Sequence, residues 1–144
     1  MNTKISNKHI QIVIPDDDPP VFAASAALAR LNRLPGIKIE SYADRPQNSG
    51  ELIDSTSGSH TIIMARSNTR LTNSVLESNY PDLKHIALLG TATDHVSLEA
   101  TRRLGVVVTN TPNSSTVAVA EHALALLFSL ARKIPQLDLR VRIG

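Results

Sequence analysis

The sequence predicts an α/β fold: a doubly wound, flavodoxin-like parallel sheet of about five strands, followed by a C-terminal crossover helix. Three observations lead there. Short runs rich in Ile and Val recur from His9 to Asn110, and helix-compatible stretches separate them. Each separation is long enough for a helix to cross over and bring the next strand in parallel, which favours right-handed βαβ units. Beyond Asn110 the pattern stops, and one long apolar segment, Val117 to Ala131, takes its place.

The elements follow in order. HIQIVI (His9 to Ile14) reads as a buried strand, ended by Pro15 and the acidic run Asp16-Asp17-Asp18. FAASAALARLNRL reads as an Ala/Leu helix that Pro35-Gly36 stops. IKIESYA is a second strand, with a weak helix after it near Glu51 to Ser55. HTIIMAR is the third strand; the loop Ser67-Asn68-Thr69 leads to a helix near Asn73 to Asn79. KHIALLG is the fourth. Ser97 is the expected N-cap of LEATRRL, Glu99 lies in its first turn where the helix dipole favours a carboxylate, and Gly105 ends it. VVVTN is the fifth strand. Helices on both faces and the strand order 2-1-3-4-5 complete the expectation.

The last helix departs from an amphipathic pattern. Leu124, Leu127 and Ala131 form one apolar stripe, and Val119, Ala123, Leu126 and Leu130 form another on the far side. A helix apolar on every side needs cover on every side. The expectation is a homodimer through the 116–133 helix, or cover by more of the same chain.

Composition narrows the function. With 15 Lys and Arg against 13 Asp and Glu, the formal charge is only +2, and aromatic residues make up 3%. Neither feature suits a nucleic-acid partner. The chain has no cysteine, which removes disulfides, thiol catalysis and Cys-based metal sites. The N-terminal stretch lacks the apolar segment of a signal peptide, and the Val117 to Ala131 run is too short to span a bilayer. A cytoplasmic protein without membrane contact is expected.

Ligands of such sheets bind at the carboxyl ends of the strands. A dinucleotide is the first suspicion, yet the glycines stand at 36, 50, 58, 90, 105 and 144, and no two form G-x-G. Both the dinucleotide fingerprint and the P-loop are absent. The acidic run resembles a receiver domain's acidic site, but such a site also needs an aspartate and a lysine where this chain has Arg66 and Asn110. A capped, solvated turn is favoured. Glu121-His122 lacks the second histidine of H-E-x-x-H, so His122 is expected to be a buried, hydrogen-bonded histidine; no metal site is assigned. His95 beside Asp94 reads as a structural pair, and Ser114, Ser115 and Thr116 as N-cap donors.

Two loops remain. ARSNT ends the third strand with an arginine and several hydroxyl or amide groups, and GTATD ends the fourth. Side by side they could aim backbone N–H groups and one guanidinium at a small carboxylate. Composition alone leaves ordinary turns equally open.

Taken in series, ARSNT, LKHIALLGTATDHVSLEATRRLGVVVTNTP and STVAVAEHALALLFSLARKIP resemble the N-terminal part of the D-isomer-specific 2-hydroxyacid dehydrogenases, such as phosphoglycerate dehydrogenase. The resemblance is specific from about Ala65 to Pro135. It implies a substrate-binding domain over 1–111, with a crossover helix and linker over 112–144 towards a dinucleotide-binding domain that this sequence does not contain. DLRVRIG resembles the linker just ahead of the fingerprint. The resemblance assigns substrate contacts to Arg66, Ser67, Asn68, Gly90, Thr91 and Ala92, with Thr91 also touching the nicotinamide cofactor. It assigns no catalytic residue here, because the family's arginine, glutamate and histidine come later. The sequence departs from the family at Ala92, in place of a second loop glycine, and at Ser115, in place of an asparagine. The implied parent is an NAD- or NADP-dependent oxidoreductase acting on a small 2-hydroxyacid or 2-oxoacid. This chain alone is expected to be inactive and to bind no cofactor. The alternative is a stand-alone small-carboxylate-binding or regulatory module that pairs with a full-length dehydrogenase.

Overall fold

The computed structural model describes residues 9–143. Five parallel strands, β1 (Ile10–Ile14), β2 (Ile37–Ser41), β3 (Ile62–Arg66), β4 (His85–Leu89) and β5 (Val107–Thr109), form one sheet in the order 2-1-3-4-5, as the sequence predicts. Between them run α1 (Ala26–Leu31), α2 (Ser49–Thr56), α3 (Asn73–Ser78) and α4 (Leu98–Leu104); α5 (Thr116–Ala131) and α6 (Ile134–Ile143) follow.

The chain steps one way from β1 to β2 and the opposite way from β2 onwards. Right-handed crossovers therefore place α1 on one face and α2, α3 and α4 on the other. The second face holds the core. Val13, Ile63, Ala65, Ile86 and Leu88 point from the strands into Leu52, Val75, Leu76, Val96 and Ala100. The alternate strand residues Ile62, Met64 and Ala87 are only half-buried, Leu89 and Val107 are exposed, and α1 has no buried residue. The expected cover of both faces is complete on the α2–α4 side and partial on the α1 side, where Ile12, Ile14 and Phe22 are buried but the ends of β3 to β5 are not. The physical reason is local: only six residues, mostly alanine and leucine, are helical where the sequence predicts an entire Phe22-to-Leu34 helix. The Asp17 carboxylate instead folds residues 21–23 into a turn by accepting their amides.

Local capping explains where the other helices start. Asn48 caps α2 by accepting the Glu51 amide at 3.0 Å, and Glu51 reaches back to the Gln47 amide at 2.8 Å, a reciprocal box. Ser97 caps α4 at the Ala100 amide, and Gly105 ends it at φ 70°.

The chain divides into two compact units, Met1–Thr111 and Pro112–Gly144. In the second, α5 has no buried residue, and Leu124, Leu127 and Leu130 are all more than half exposed. Two expectations are corrected here, and a third gains its conformation. His122 is exposed rather than buried, because it shares a helix with no buried position. Ser115 occupies the N-cap position without a side-chain bond. Residues 138–143, read as linker, belong to α6. That helix is supported by an Arg142–Asp138 ion pair one turn apart, at 2.9 Å. No helix among the described residues is long and apolar enough to cross a membrane.

Candidate functional site

Strands β3 and β4 are hydrogen-bonded neighbours, with Arg66 opposite Leu89. The loops that follow, starting at Ser67 and Gly90, therefore leave the sheet side by side. They are joined again further on. The Leu71 amide donates to the His95 carbonyl at 2.9 Å, and the Ser97 amide donates to the Leu71 carbonyl at 3.0 Å. This isolated parallel bridge between Leu71 and Val96 holds the two loops as one unit at the carboxyl edge of the sheet.

Within the second loop, Gly90 adopts φ 135°, a conformation that strains any side-chain-bearing residue. Its amide donates to Thr111 Oγ1 at 2.8 Å. Asn110 Nδ2 donates to the Thr91 carbonyl at 2.8 Å. Residues at the end of β5 thus hold the loop by its carbonyls and its first amide. The amides of Thr91 and Ala92 make no hydrogen bond among the described residues, and both residues are exposed. Two adjacent free N–H donors on a tethered loop suit a carboxylate. Ala92 is not among the residues with positive φ, so the missing second glycine costs this backbone nothing.

In the first loop, Ser67 and Asn68 are exposed and Thr69 is buried. Arg66 is half-buried, and its Nη1 donates to the Pro19 carbonyl at 2.9 Å, which ties its guanidinium to the loop after β1. That loop is built on two buried aspartates, so the expected solvated turn applies only to exposed Asp18. Asp17 is a cap, as expected. Burial pushes its carboxyl up, but the amides of Ala23, Phe22 and Val21, aided by the Arg66 charge, outweigh it and hold the pKa below the usual carboxylate range. Asp16 faces Arg45 Nε at 3.4 Å.

His95 closes the far end of the paired loops. Its side chain is only 6% exposed, neither ring nitrogen has a hydrogen-bond partner, and Asp94 stands 3.9 Å away. Burial lowers its pKa against the pull of Asp94. No cluster of three metal-ligating side chains occurs among the described residues.

The arrangement brings all six sequence-predicted contact residues to one edge of the sheet. Sequence reasoning gave no role to Thr111 and Asn110, the residues that fix the Gly90 loop. Their only signal was the Asn-Thr-Pro that closes the last strand.

A doubly wound parallel sheet of order 2-1-3-4-5 with two coupled loops at its carboxyl edge defines a flavodoxin-like α/β domain. Residues 18–132 match the family model described as the catalytic domain of the D-isomer specific 2-hydroxyacid dehydrogenases, and the chain belongs to that family of oxidoreductases. It is 39% identical over 82 residues to D-3-phosphoglycerate dehydrogenase 2, chloroplastic, of Arabidopsis thaliana, a stretch covering 57% of this chain and 13% of that protein. It is 40% identical over 80 residues to D-3-phosphoglycerate dehydrogenase of Synechocystis, covering 56% of this chain and 14% of that one. Among solved structures, an acyclic imino acid reductase in complex with NADPH and D-Arg superposes with TM-score 0.78 at 30% identity, covering 94% of this chain and 41% of that one. The TT0316 protein of Thermus thermophilus gives the same TM-score and coverage at 28% identity. The chain therefore spans well under half the length of the relatives it matches.

Proposed function

We propose that this chain is the substrate-binding portion of an NAD(P)-dependent oxidoreductase that interconverts a small D-2-hydroxyacid and its 2-oxoacid. Residues 1–111 form the substrate domain, and 112–144 lead towards a cofactor domain. The observation that carries this reading is the pair of free amides at Thr91 and Ala92, on a loop tied down by Thr111 and Asn110 and joined to the Ser67 loop. These donors hold the substrate carboxylate, with Ser67 and Asn68 beside it and Arg66 adding positive charge. The nicotinamide cofactor supplies or accepts the hydride in the parent enzyme. The glycine spacing of this chain does not fit a dinucleotide's pyrophosphate, so no cofactor site is assigned to its residues beyond the Thr91 contact.

Titrating the isotope-labelled chain with glyoxylate tests the cradle. Saturable amide shifts centred on Thr91, Ala92 and Ser67 are expected. Shifts elsewhere, or none at these loops, overturn the assignment. The chain alone is inactive and binds NADH weakly or not at all, and a fluorescence titration showing micromolar affinity contradicts this.

A further inference from the structure

The loop that carries the free amides is anchored at both ends, and the two anchors differ in kind. Thr111 and Asn110 hold the Gly90 end through a hydroxyl and a side-chain amide, groups that do not titrate. At the other end the His95 carbonyl accepts the Leu71 amide at 2.9 Å, and the Leu71 carbonyl accepts the Ser97 amide at 3.0 Å. Between them the Val96 amide closes a turn on the Thr93 carbonyl at 3.0 Å. Leu71 and Val96 are buried, so this second anchor sits on the core. The residue that ties it to the loop is a histidine.

The His95 ring is buried, and neither nitrogen meets a hydrogen-bond partner among the described residues. Such surroundings favour the neutral ring. A second proton brings a charge and two N–H donors with nothing inside to receive them. The carboxylate within reach is Asp94, 3.9 Å from Nδ1 and itself 90% exposed. An open crevice of about 540 Å³ borders both residues and leaves the ring room to turn outward. The charged groups on that crevice are Asp94 and Arg70, from the loops after β4 and β3. The starts of α3 and α4 add Asn73, Ser74 and Ser97, which are neutral. Asp94 is the charge that acts on the ring, and it favours the protonated form. An imidazolium is therefore drawn out of the interior towards Asp94, and the backbone that closes the bridge moves with it.

We propose that His95 is a proton-operated latch on the loop that binds the substrate carboxylate. The neutral, inward ring keeps the Leu71–Val96 bridge closed; protonation turns the ring out to Asp94, opens the bridge and leaves Thr91 and Ala92 anchored at one end only. The latch stands on the buried ring and the bridge, and its consequence for the carboxylate rests on the function proposed above. Burial lowers the folded pKa of the ring below the ordinary 6.5, which sets the direction: the latch is closed at neutral pH and opens as pH falls.

Two readouts on the isotope-labelled chain test this between about pH 7.5 and 4.5, a range over which the glyoxylate carboxyl stays ionised. Exchange protection of the Leu71 and Ser97 amides, corrected for the intrinsic pH dependence of exchange, is expected to fall about fivefold or more towards low pH, and the glyoxylate dissociation constant to rise by a similar factor. His95→Asn, which takes up no proton, removes both changes. Asp94→Asn, a substitution at an exposed site, moves both to lower pH. The latch is overturned by protection at Leu71 and Ser97 that stays constant in the wild type, that falls alike in His95→Asn, or whose midpoint is unmoved in Asp94→Asn. Falling protection with constant glyoxylate affinity overturns its control of the cradle. Glyoxylate shifts absent from Thr91 and Ala92 at every pH sink the functional reading instead, and the exchange data still decide the latch.

Discussion

Thr111 and Gly90 are locked to each other in both directions: the Gly90 amide donates to the Thr111 hydroxyl at 2.8 Å, and the Thr111 amide donates to the Gly90 carbonyl at 3.0 Å. The glycine that opens the candidate loop is therefore a fixed hinge, and its amide is spent on holding the loop. The two residues that follow it are the ones free to bind.

This arrangement predicts the effect of Thr111→Val. The side chain keeps its shape but loses the acceptor, leaving the Gly90 amide without its partner. A loss of about 1 kcal/mol in stability is expected, since the amide is close to solvent and part of the cost is recovered by water. Glyoxylate binding falls more than that figure suggests, because the loop is no longer aimed. Urea unfolding and the amide titration together separate the two effects; unchanged binding would contradict the hinge.

Gly90→Ala and Gly105→Ala make a matched pair. At both sites an added Cβ meets open space, so backbone conformation alone sets the cost. Gly105 at φ 70° lies in the left-handed region, which other residues enter for about 1 kcal/mol. Gly90 at φ 135° lies where essentially only glycine is relaxed, and about 1–3 kcal/mol is expected. Gly105→Ala lowers stability and leaves glyoxylate binding intact, whereas Gly90→Ala removes the binding. Equal effects of the two on binding would remove Gly90 from the site.

The sheet, its order and most loop positions were legible because apolar runs and turn residues carry them. The Ser97 cap, Glu99 in the first turn and the Gly105 stop were legible for the same reason: each acts on its own helix. What the sequence hid depends on distant partners. Nothing local distinguishes Asp17, which gathers three amides, from Asp18, which stays exposed. The Leu71–Val96 bridge and the Thr111–Gly90 pair join residues far apart in the chain, and no periodicity announces them. His122 misled for the converse reason: an apolar neighbourhood along the chain does not make a buried one in space.

His95 gives the fold a pH dependence. Burial holds its folded pKa below the ordinary 6.5, so the unfolded chain takes up a proton first as pH falls. The stabilisation is complete above about pH 6.5 and declines as pH drops from there towards the folded value. Unfolding midpoints at pH 7.5 and 5 should differ in the wild type. His95→Asn, which does not titrate, should lose the part of this difference that lies between the folded and unfolded values. A pH dependence identical in the variant would show that His95 contributes none of it.

The exposed helix α5 supplies the last prediction. Val117, Val119, Leu124, Leu126, Leu127, Phe128 and Leu130 are each more than half exposed, so apolar side chains face solvent on every side of the helix. Leaving that surface in water is costly, since burying each such side chain is worth about 1.5–3 kcal/mol. Contiguous apolar patches of this kind mark protein contacts. A homodimer through the 116–133 helix meets the need with the chain's own surface, because a two-fold axis sets each copy's stripe against its equivalent. Sedimentation over a wide concentration range is expected to show a dimer dissociating on dilution, and Leu127→Glu to shift it towards monomer by burying a charge at the contact. Unchanged secondary structure in the variant would show that the contact, and not the helix, was lost. A monomer at every concentration would assign the exposed stripe to another partner.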